Sequence, residues 1–148
     1  MNPELVPFGT SIRDVLSHRG GPEDWELFQN VIALLMYSTE ANGIEGLSDV
    51  ERHVYAIGGM LRDVNNGGWE QFLESNDPSL TQDLVPALTA IGSVEFKSLA
   101  KEALAQVAGA EDEPPFWDVF DERFYACAEQ LEPLALSFLQ SNLSAVRT

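Results

Sequence analysis

Carboxylates are the side chains most able to do chemistry in this sequence, and a dense set of them lies near its C-terminal end. The candidate partner-binding set is Glu111, Asp112, Glu113, Asp118, Asp121, Glu122, Glu129 and Glu132. At about 100° per residue, the later four members fall within about 60° of Asp118 on a helical wheel. The spacing therefore predicts one acidic helical face that could bind the Lys and Arg side chains of a basic protein.

The charge balance of the whole chain sets the class of partner. There are 24 acidic and 8 basic side chains, for a formal net charge of −16. Acids that repel each other recur four residues apart, as in Asp118 with Glu122 and Glu70 with Glu74, and each such pair costs a few tenths of a kcal/mol. A solvated helical face explains part of this excess. We expect no direct binding to nucleic acid or membrane, and basic proteins as partners.

Residues for other chemistry are scarce. The chain has two histidines, His18 and His53, and one cysteine, Cys127. No phosphate-binding glycine loop, serine elbow or metal-ligand spacing is present, so we predict no enzyme activity, no cofactor and no metal site. A single cysteine forms no internal disulfide, and the opening MNPELVPFGT lacks the pattern of a signal peptide, so we expect a cytoplasmic protein.

The elements that position the acids are predicted to be helices. Apolar residues recur at helical spacing in stripes that begin near Trp25, Val50 and Phe96, and sustained strand-like alternation is absent. We predict an all-α fold, a single compact domain over residues 1–148 with about six to eight helices. Residues 1–22 form an N-terminal segment whose structure the pattern does not define.

Caps and prolines predict where helices begin and end. Ser48 with Glu51 has the spacing of a capping box. Pro86 interrupts the stripe from Leu80 to Ile91, which favours Asp83 as the N-cap of that helix. Pro133 is predicted to kink or split the last apolar stripe, which runs from Phe120 to Phe138.

The densest local motif is Asn65-Asn66-Gly67-Gly68-Trp69-Glu70-Gln71-Phe72. Asn and Gly readily adopt left-handed conformations, so the motif predicts the end of one helix and the start of the next. Trp69 and Phe72 are expected to be buried beneath the turn, and Gln71, if it points inward, needs hydrogen-bond partners. We interpret Asn66, Gly67, Gly68, Trp69, Gln71 and Phe72 as a structural motif.

This motif, followed by Ala87-Leu88-Thr89-Ala90-Ile91-Gly92 and Phe120-Asp121-Glu122-Arg123-Phe124-Tyr125, resembles a bacterial family of small helical domains named after a DNA-mimic protein. The similarity covers roughly residues 48–142, the family-like core. It implies a non-enzymatic, acidic and often dimeric protein that occupies the DNA-binding surface of a transcriptional regulator. The acidic set would then stand in for phosphates.

Two other functions stay open from the sequence. One is an immunity or antitoxin-type inhibitor that uses the same acids against a basic toxin or nuclease. The other is a structural protein interaction module whose partner site is an apolar patch near Trp25, Trp69 or Trp117, with the charge serving only solubility.

Overall fold

The fold is built from α-helices. The computed structural model describes residues 6–75, 78–109, 117–127 and 130–148, and these contain helices and turns without any strand. The helices are α1 (Ile12–Leu16), α2 (Asp24–Asn42), α3 (Asp49–Ser75), α4 (Pro78–Ile91), α5 (Val94–Gly109), α6 (Trp117–Cys127) and α7 (Leu131–Ser141). The prediction of an all-α fold with about six to eight helices is confirmed.

The described residues form two compact units. The first unit contains those up to Tyr55 together with Glu132–Thr148, and the second unit contains those within Ala56–Leu131. Among the described residues, no helix combines the length and the apolar character needed to cross a membrane.

In the first unit, α1 contacts α2 and orders much of the segment that the sequence pattern left undefined. The Ser11 side chain caps α1 by accepting a hydrogen bond from the Asp14 amide at 3.2 Å. The buried Asn30 side chain on α2 accepts a hydrogen bond from the Phe8 amide at 2.8 Å. A buried polar side chain thus attaches the chain ahead of α1, which hydrophobic periodicity does not report.

Trp25 departs from its apolar stripe. Phe28, Ile32 and Leu35 of that stripe are buried, whereas Trp25 is 55% exposed. Apolar residues occupy much of the circumference of α2, so periodicity alone does not say which of them face the core.

The Glu51 carboxylate links two segments of the first unit by hydrogen bonds. The predicted capping box is confirmed: Glu51 Oε1 accepts from the Ser48 amide at 3.0 Å, and Ser48 Oγ accepts from the Glu51 amide at 3.2 Å. Glu51 Oε2 also accepts from the amides of Arg147 and Thr148, at 3.2 and 2.8 Å. The Thr148 carbonyl in turn accepts from the Ile12 amide at 2.9 Å. One buried carboxylate therefore fixes both the start of α3 and the segment after α7.

These contacts shift the titration of Glu51. Burial by itself raises the pKa, but hydrogen bonds from the Ser48 amide, the Thr148 side chain and amide, and the Arg147 amide outweigh it and hold the pKa below the ordinary 4.5. The carboxylate is therefore ionised in the folded protein down to a pH below that value.

In the second unit, α4 contacts α5, and α5 contacts α6. The predicted N-cap at Asp83 is wrong, because α4 begins at Pro78 and continues through Asp83 and Pro86 to Ile91. Pro86 is exposed, while Leu84 is among the buried side chains of α4. Proline at the first helical position is favourable, and burial of the apolar face offsets the hydrogen bond lost at Pro86.

The predicted effect of Pro133 is confirmed as a split. Helix α6 ends at Cys127, and α7 begins at Leu131. Pro133 is thus the third residue of α7, in the first turn, where a backbone amide has no acceptor within the helix.

The Glu51 contacts predict a pH-dependent stability. Glu51→Gln should lower the free energy of unfolding at pH 7 by about 2 kcal/mol, because a charged acceptor of three amides becomes neutral. Since the folded pKa of Glu51 is lowered, this contribution is fully present above the ordinary pKa of 4.5 and is lost as the pH falls through the folded pKa. Urea unfolding of both proteins at pH 7 and at pH 3 measures the difference.

Asp49→Asn is the matched control, because Asp49 is an exposed acid in the first turn of the same helix. It should change stability by less than about 0.5 kcal/mol. A Glu51→Gln difference of equal size at both pH values would contradict the assigned role of Glu51.

Candidate functional site

The acidic set does not form one continuous helical face. Helix α6 ends at Cys127, so Glu132 lies on a different helix, α7, from Asp121 and Glu122. The expectation of a single face from Asp118 to Glu132 is therefore wrong, because one helical wheel does not describe residues on two separate helices.

The members of the set have different environments. Glu122 is exposed, whereas Asp121 and Glu132 are half-buried. Asp118 is in α6, but its side chain is not among those described. Four further members lie outside the described residues: Glu111, Asp112, Glu113 and Glu129.

The glycine motif forms a kink inside α3, as predicted. Gly67 has φ −154° and ψ 17°, and Gly68 has φ 78° and ψ −178°, so the backbone is non-helical at both residues. Positive φ favours glycine at position 68. The Gln71 side chain lies close enough to Gly67 that a Cβ there would collide with it. Two helical segments thus meet at Gly67 and Gly68.

Asp121 of α6 caps the second of these segments. Its Oδ1 accepts a hydrogen bond from the Trp69 amide at 3.0 Å, and a Cβ on Gly68 would lie only 2.6 Å from its Oδ2. In an unbroken helix the Trp69 amide would bond to the carbonyl of Asn65. The Asp121 carboxylate replaces that acceptor and stands at a helix N-terminus, where negative charge is favourable.

Tyr125, also on α6, forms a hydrogen bond with the backbone before the kink. Its hydroxyl donates a hydrogen bond to the Val64 carbonyl at 3.2 Å. In an unbroken helix that carbonyl would accept from the Gly68 amide, where the backbone leaves helical geometry. Asp121 and Tyr125 are four residues apart, hence on one face of α6, and they satisfy an amide and a carbonyl on opposite sides of the kink.

An aromatic cluster underlies this contact. Trp69 and Phe72 are both buried, as predicted, and their rings meet edge to face at 5.9 Å. The Phe124 ring contacts Trp69 at 6.2 Å and Phe96 of α5 at 5.6 Å, again edge to face. Such pairs contribute about 0.5–1.5 kcal/mol each beyond the area they bury. Because Trp69 is buried, it cannot form the exposed apolar patch considered from the sequence.

The Trp69 indole N–H lowers the stability that this cluster provides. Its Nε1 is buried and has no hydrogen-bond partner among the residues that the structure describes. A buried unsatisfied donor costs about 1–3 kcal/mol. Packing of the large ring against Phe72 and Phe124 offsets that cost.

Exposed acids of the second unit lie on three helices. They include Glu70 on α3, Glu95 and Glu102 on α5, and Glu122 on α6. Arg123 of α6 pairs with Glu102 and lies 5.9 Å from the centre of the Phe120 ring. The positive charge of Arg123 is therefore engaged with a neighbouring acid.

The histidines lie in aromatic surroundings. The His53 ring lies 6.2 Å from the Phe138 ring, and its Nδ1 is buried with no hydrogen-bond partner in the described part of the chain. The His18 ring lies 5.9 Å from Phe8. Within the described ranges, no group of three or more His, Cys, Asp or Glu side chains has the geometry to hold a metal ion.

Together, the fold and the site define a small, acidic, all-α protein in which a carboxylate secures a glycine kink. The chain matches the family of DMP19-like proteins over residues 45–142, and it belongs to that family. The resemblance seen in the sequence over roughly 48–142 is thereby confirmed. The DNA-mimic family is generally non-enzymatic. No curated protein sequence and no solved structure matches the chain.

The Trp69 contact predicts that two adjacent acids differ in their effect on stability. Asp121→Ala should lower the free energy of unfolding by about 2 kcal/mol, because a helix cap and a charged acceptor are lost together. Glu122→Ala should change it by less than about 0.5 kcal/mol, since Glu122 is exposed. Urea unfolding measures both, and equal effects would show that Asp121 is not a cap.

The close approach at the kink predicts a second difference, between two glycines. Gly68→Ala should cost about 3 kcal/mol, because it places a side chain at φ 78° and against Asp121. Gly92→Ala is the matched control, with φ 84° and open space around its Cβ, and should cost only about 1 kcal/mol. Thermal unfolding compares them, and equal losses would contradict the steric role of Asp121.

Proposed function

We propose that this protein binds a basic DNA-binding protein, such as a transcriptional regulator, by imitating DNA and occluding its nucleic-acid-binding surface. Membership of the DMP19-like family is the observation that carries the proposal. Fold alone does not fix function, so the surface charge must supply the mimicry. The proposed place of action is the cytoplasm, the proposed role is non-enzymatic, and no cofactor is involved.

Charge supports the proposal. The range Ala56–Leu131 contains fourteen acidic and four basic side chains, an excess of ten acids. That range lies inside the part of the chain that matches the family. A field of this sign attracts Lys- and Arg-rich surfaces over distances of about a Debye length, roughly 8–10 Å at physiological salt.

The acids proposed to contact the partner are those of the acidic set other than Asp121 and Glu132, which are both half-buried. Glu122 is exposed on α6, and Asp118 lies one helical turn before it. Glu111–Glu113 and Glu129 complete the proposed set. Asp121 serves the Trp69 amide instead, so it acts in this proposal by holding α6 against the kink.

This assignment determines which variant tests the function. Asp118→Lys with Glu122→Lys should abolish partner binding while the domain stays folded. The protein is immobilised, native lysate is passed over it at low salt, and retained proteins are eluted with a salt gradient and identified. A retained DNA-binding protein is then purified and assayed for operator DNA binding while the acidic protein is titrated in. Loss of operator binding on titration with the wild type, but not with the Asp118→Lys, Glu122→Lys variant, is the expected result.

Asp14→Lys with Glu45→Lys is the matched control, because it makes the same change in net charge at exposed acids of the first unit. It should retain the partner. Equal retention by wild type and the α6 variant, or release that does not depend on salt, would refute the proposal. A retained nuclease that the protein inhibits would instead identify an immunity function.

A further inference from the structure

Helix α2 carries an exposed apolar strip that the proposed mimicry does not use. Trp25 is 55% exposed and Met36 is 36% exposed. They are eleven residues apart, which is about three helical turns, so both lie on one side of α2 about 16 Å apart along its axis. Gln29 and Ala33 lie between them on the same side and are at least partly exposed. We call Trp25, Gln29, Ala33 and Met36 the α2 strip.

The charged residues of α2 and of its immediate flanks in sequence are acidic. No Lys or Arg occurs between Gly20 and Glu51. Glu23, just before α2, and Glu40, in its last turn, are exposed near the two ends of the strip. The nearest base in sequence, Arg19, lies 4.0 Å from Asp24 and is therefore close to an acid already.

We propose that the α2 strip is a docking surface for a basic amphipathic α-helix of another protein. The apolar face of that helix would cover Trp25 and Met36, and its flanking Lys and Arg side chains would meet Glu23 and Glu40. A narrow strip three turns long matches the contact that two packed helices make. An exposed Trp is a large, rigid anchor of the type that dominates binding energy at interfaces.

Charge selects this occupant over others. A second copy of the chain packed strip to strip would bring Glu23 and Glu40 of both copies together, and facing like charges disfavour that pairing. Anionic membranes and nucleic acids are repelled for the same reason. The strip also lies before residue 45, where the match to the family begins, so it is a feature outside the shared family segment.

The test uses three synthetic helical peptides of equal length and labelled ends. One has a Leu stripe flanked by Lys, the second replaces each Leu by Ser, and the third replaces each Lys by Glu. Fluorescence anisotropy with the full chain should show micromolar binding of the Leu/Lys peptide and at least tenfold weaker binding of the other two. Trp25→Ser should weaken binding of the Leu/Lys peptide at least tenfold.

Matched variants distinguish binding at the α2 strip from effects of overall charge or of exposed apolar residues elsewhere. Val119→Ser alters another exposed apolar residue, 55% exposed on α6, and should change the dissociation constant less than twofold. Glu23→Lys with Glu40→Lys should weaken binding more than Glu70→Lys with Glu95→Lys, although both change net charge equally. All of these side chains are exposed, and circular dichroism checks that each variant is folded. Urea unfolding is added for the Glu23→Lys variant, because Glu23 is the N-cap of α2 and belongs to its capping box.

Several outcomes would overturn this inference. Equal binding of the Ser/Lys peptide would mean attraction by bulk charge, and equal binding of the Glu/Leu peptide would mean nonspecific apolar contact. An unchanged affinity of Trp25→Ser would place the site elsewhere. A dimer in analytical ultracentrifugation that Trp25→Ser dissociates would show that a second copy covers the strip. None of these results bears on the α6 acids, so the two proposals fail independently.

Discussion

The hydrogen bond from the Trp69 amide to the Asp121 carboxylate is the constraint on which the second unit depends. A double glycine breaks α3, and a break exposes backbone groups that must find new partners if they are buried. Helix α6 supplies two of them from one face, Asp121 for an amide and Tyr125 for a carbonyl. The same helix contributes Phe124 to the ring cluster around Trp69. The polar and aromatic contacts therefore specify the same position of α6, and a shift of that helix would break both sets.

This contact shows that some acidic residues of such a protein have a structural role, so they are not all available for binding a partner. Asp121 and Glu51 both appear in the sequence as members of a large acidic excess, yet each accepts hydrogen bonds from backbone amides and holds distant segments together. A carboxylate with committed lone pairs is a poor imitation of a phosphate, because a partner's Lys or Arg must compete with those amides. Exposed acids such as Glu122 carry no such commitment. The capacity for mimicry thus depends on which acids are uncommitted, and net charge overstates it.

Sequence periodicity predicts most of this fold because helices bury apolar stripes at a fixed spacing. Local chemistry adds the capping box at Ser48 and the kink at Gly68, since both depend on residues close in sequence. Sequence patterns miss contacts between residues far apart in the chain. They also miss cases in which tertiary packing outweighs a local conformational penalty. The cap at Trp69 comes from a residue 52 positions away, and a helical wheel cannot show that Asp121 turns toward another helix. Pro86 stays inside α4 because tertiary burial exceeds a local penalty.

The two proposed surfaces, the acids of α6 and the α2 strip with its exposed Trp25, would have different physical roles in binding. Exposed carboxylates act at long range, so they raise the rate of encounter with a basic partner and lose effect as salt increases. They contribute little to the lifetime of a complex, because paired surface charges are worth only about 0–1 kcal/mol each. A buried Trp at an interface contributes mainly to that lifetime, through dissociation. An acidic protein that relied on charge alone would bind many basic proteins weakly, and an apolar anchor outside the shared family segment is a means by which one member can select its own partner.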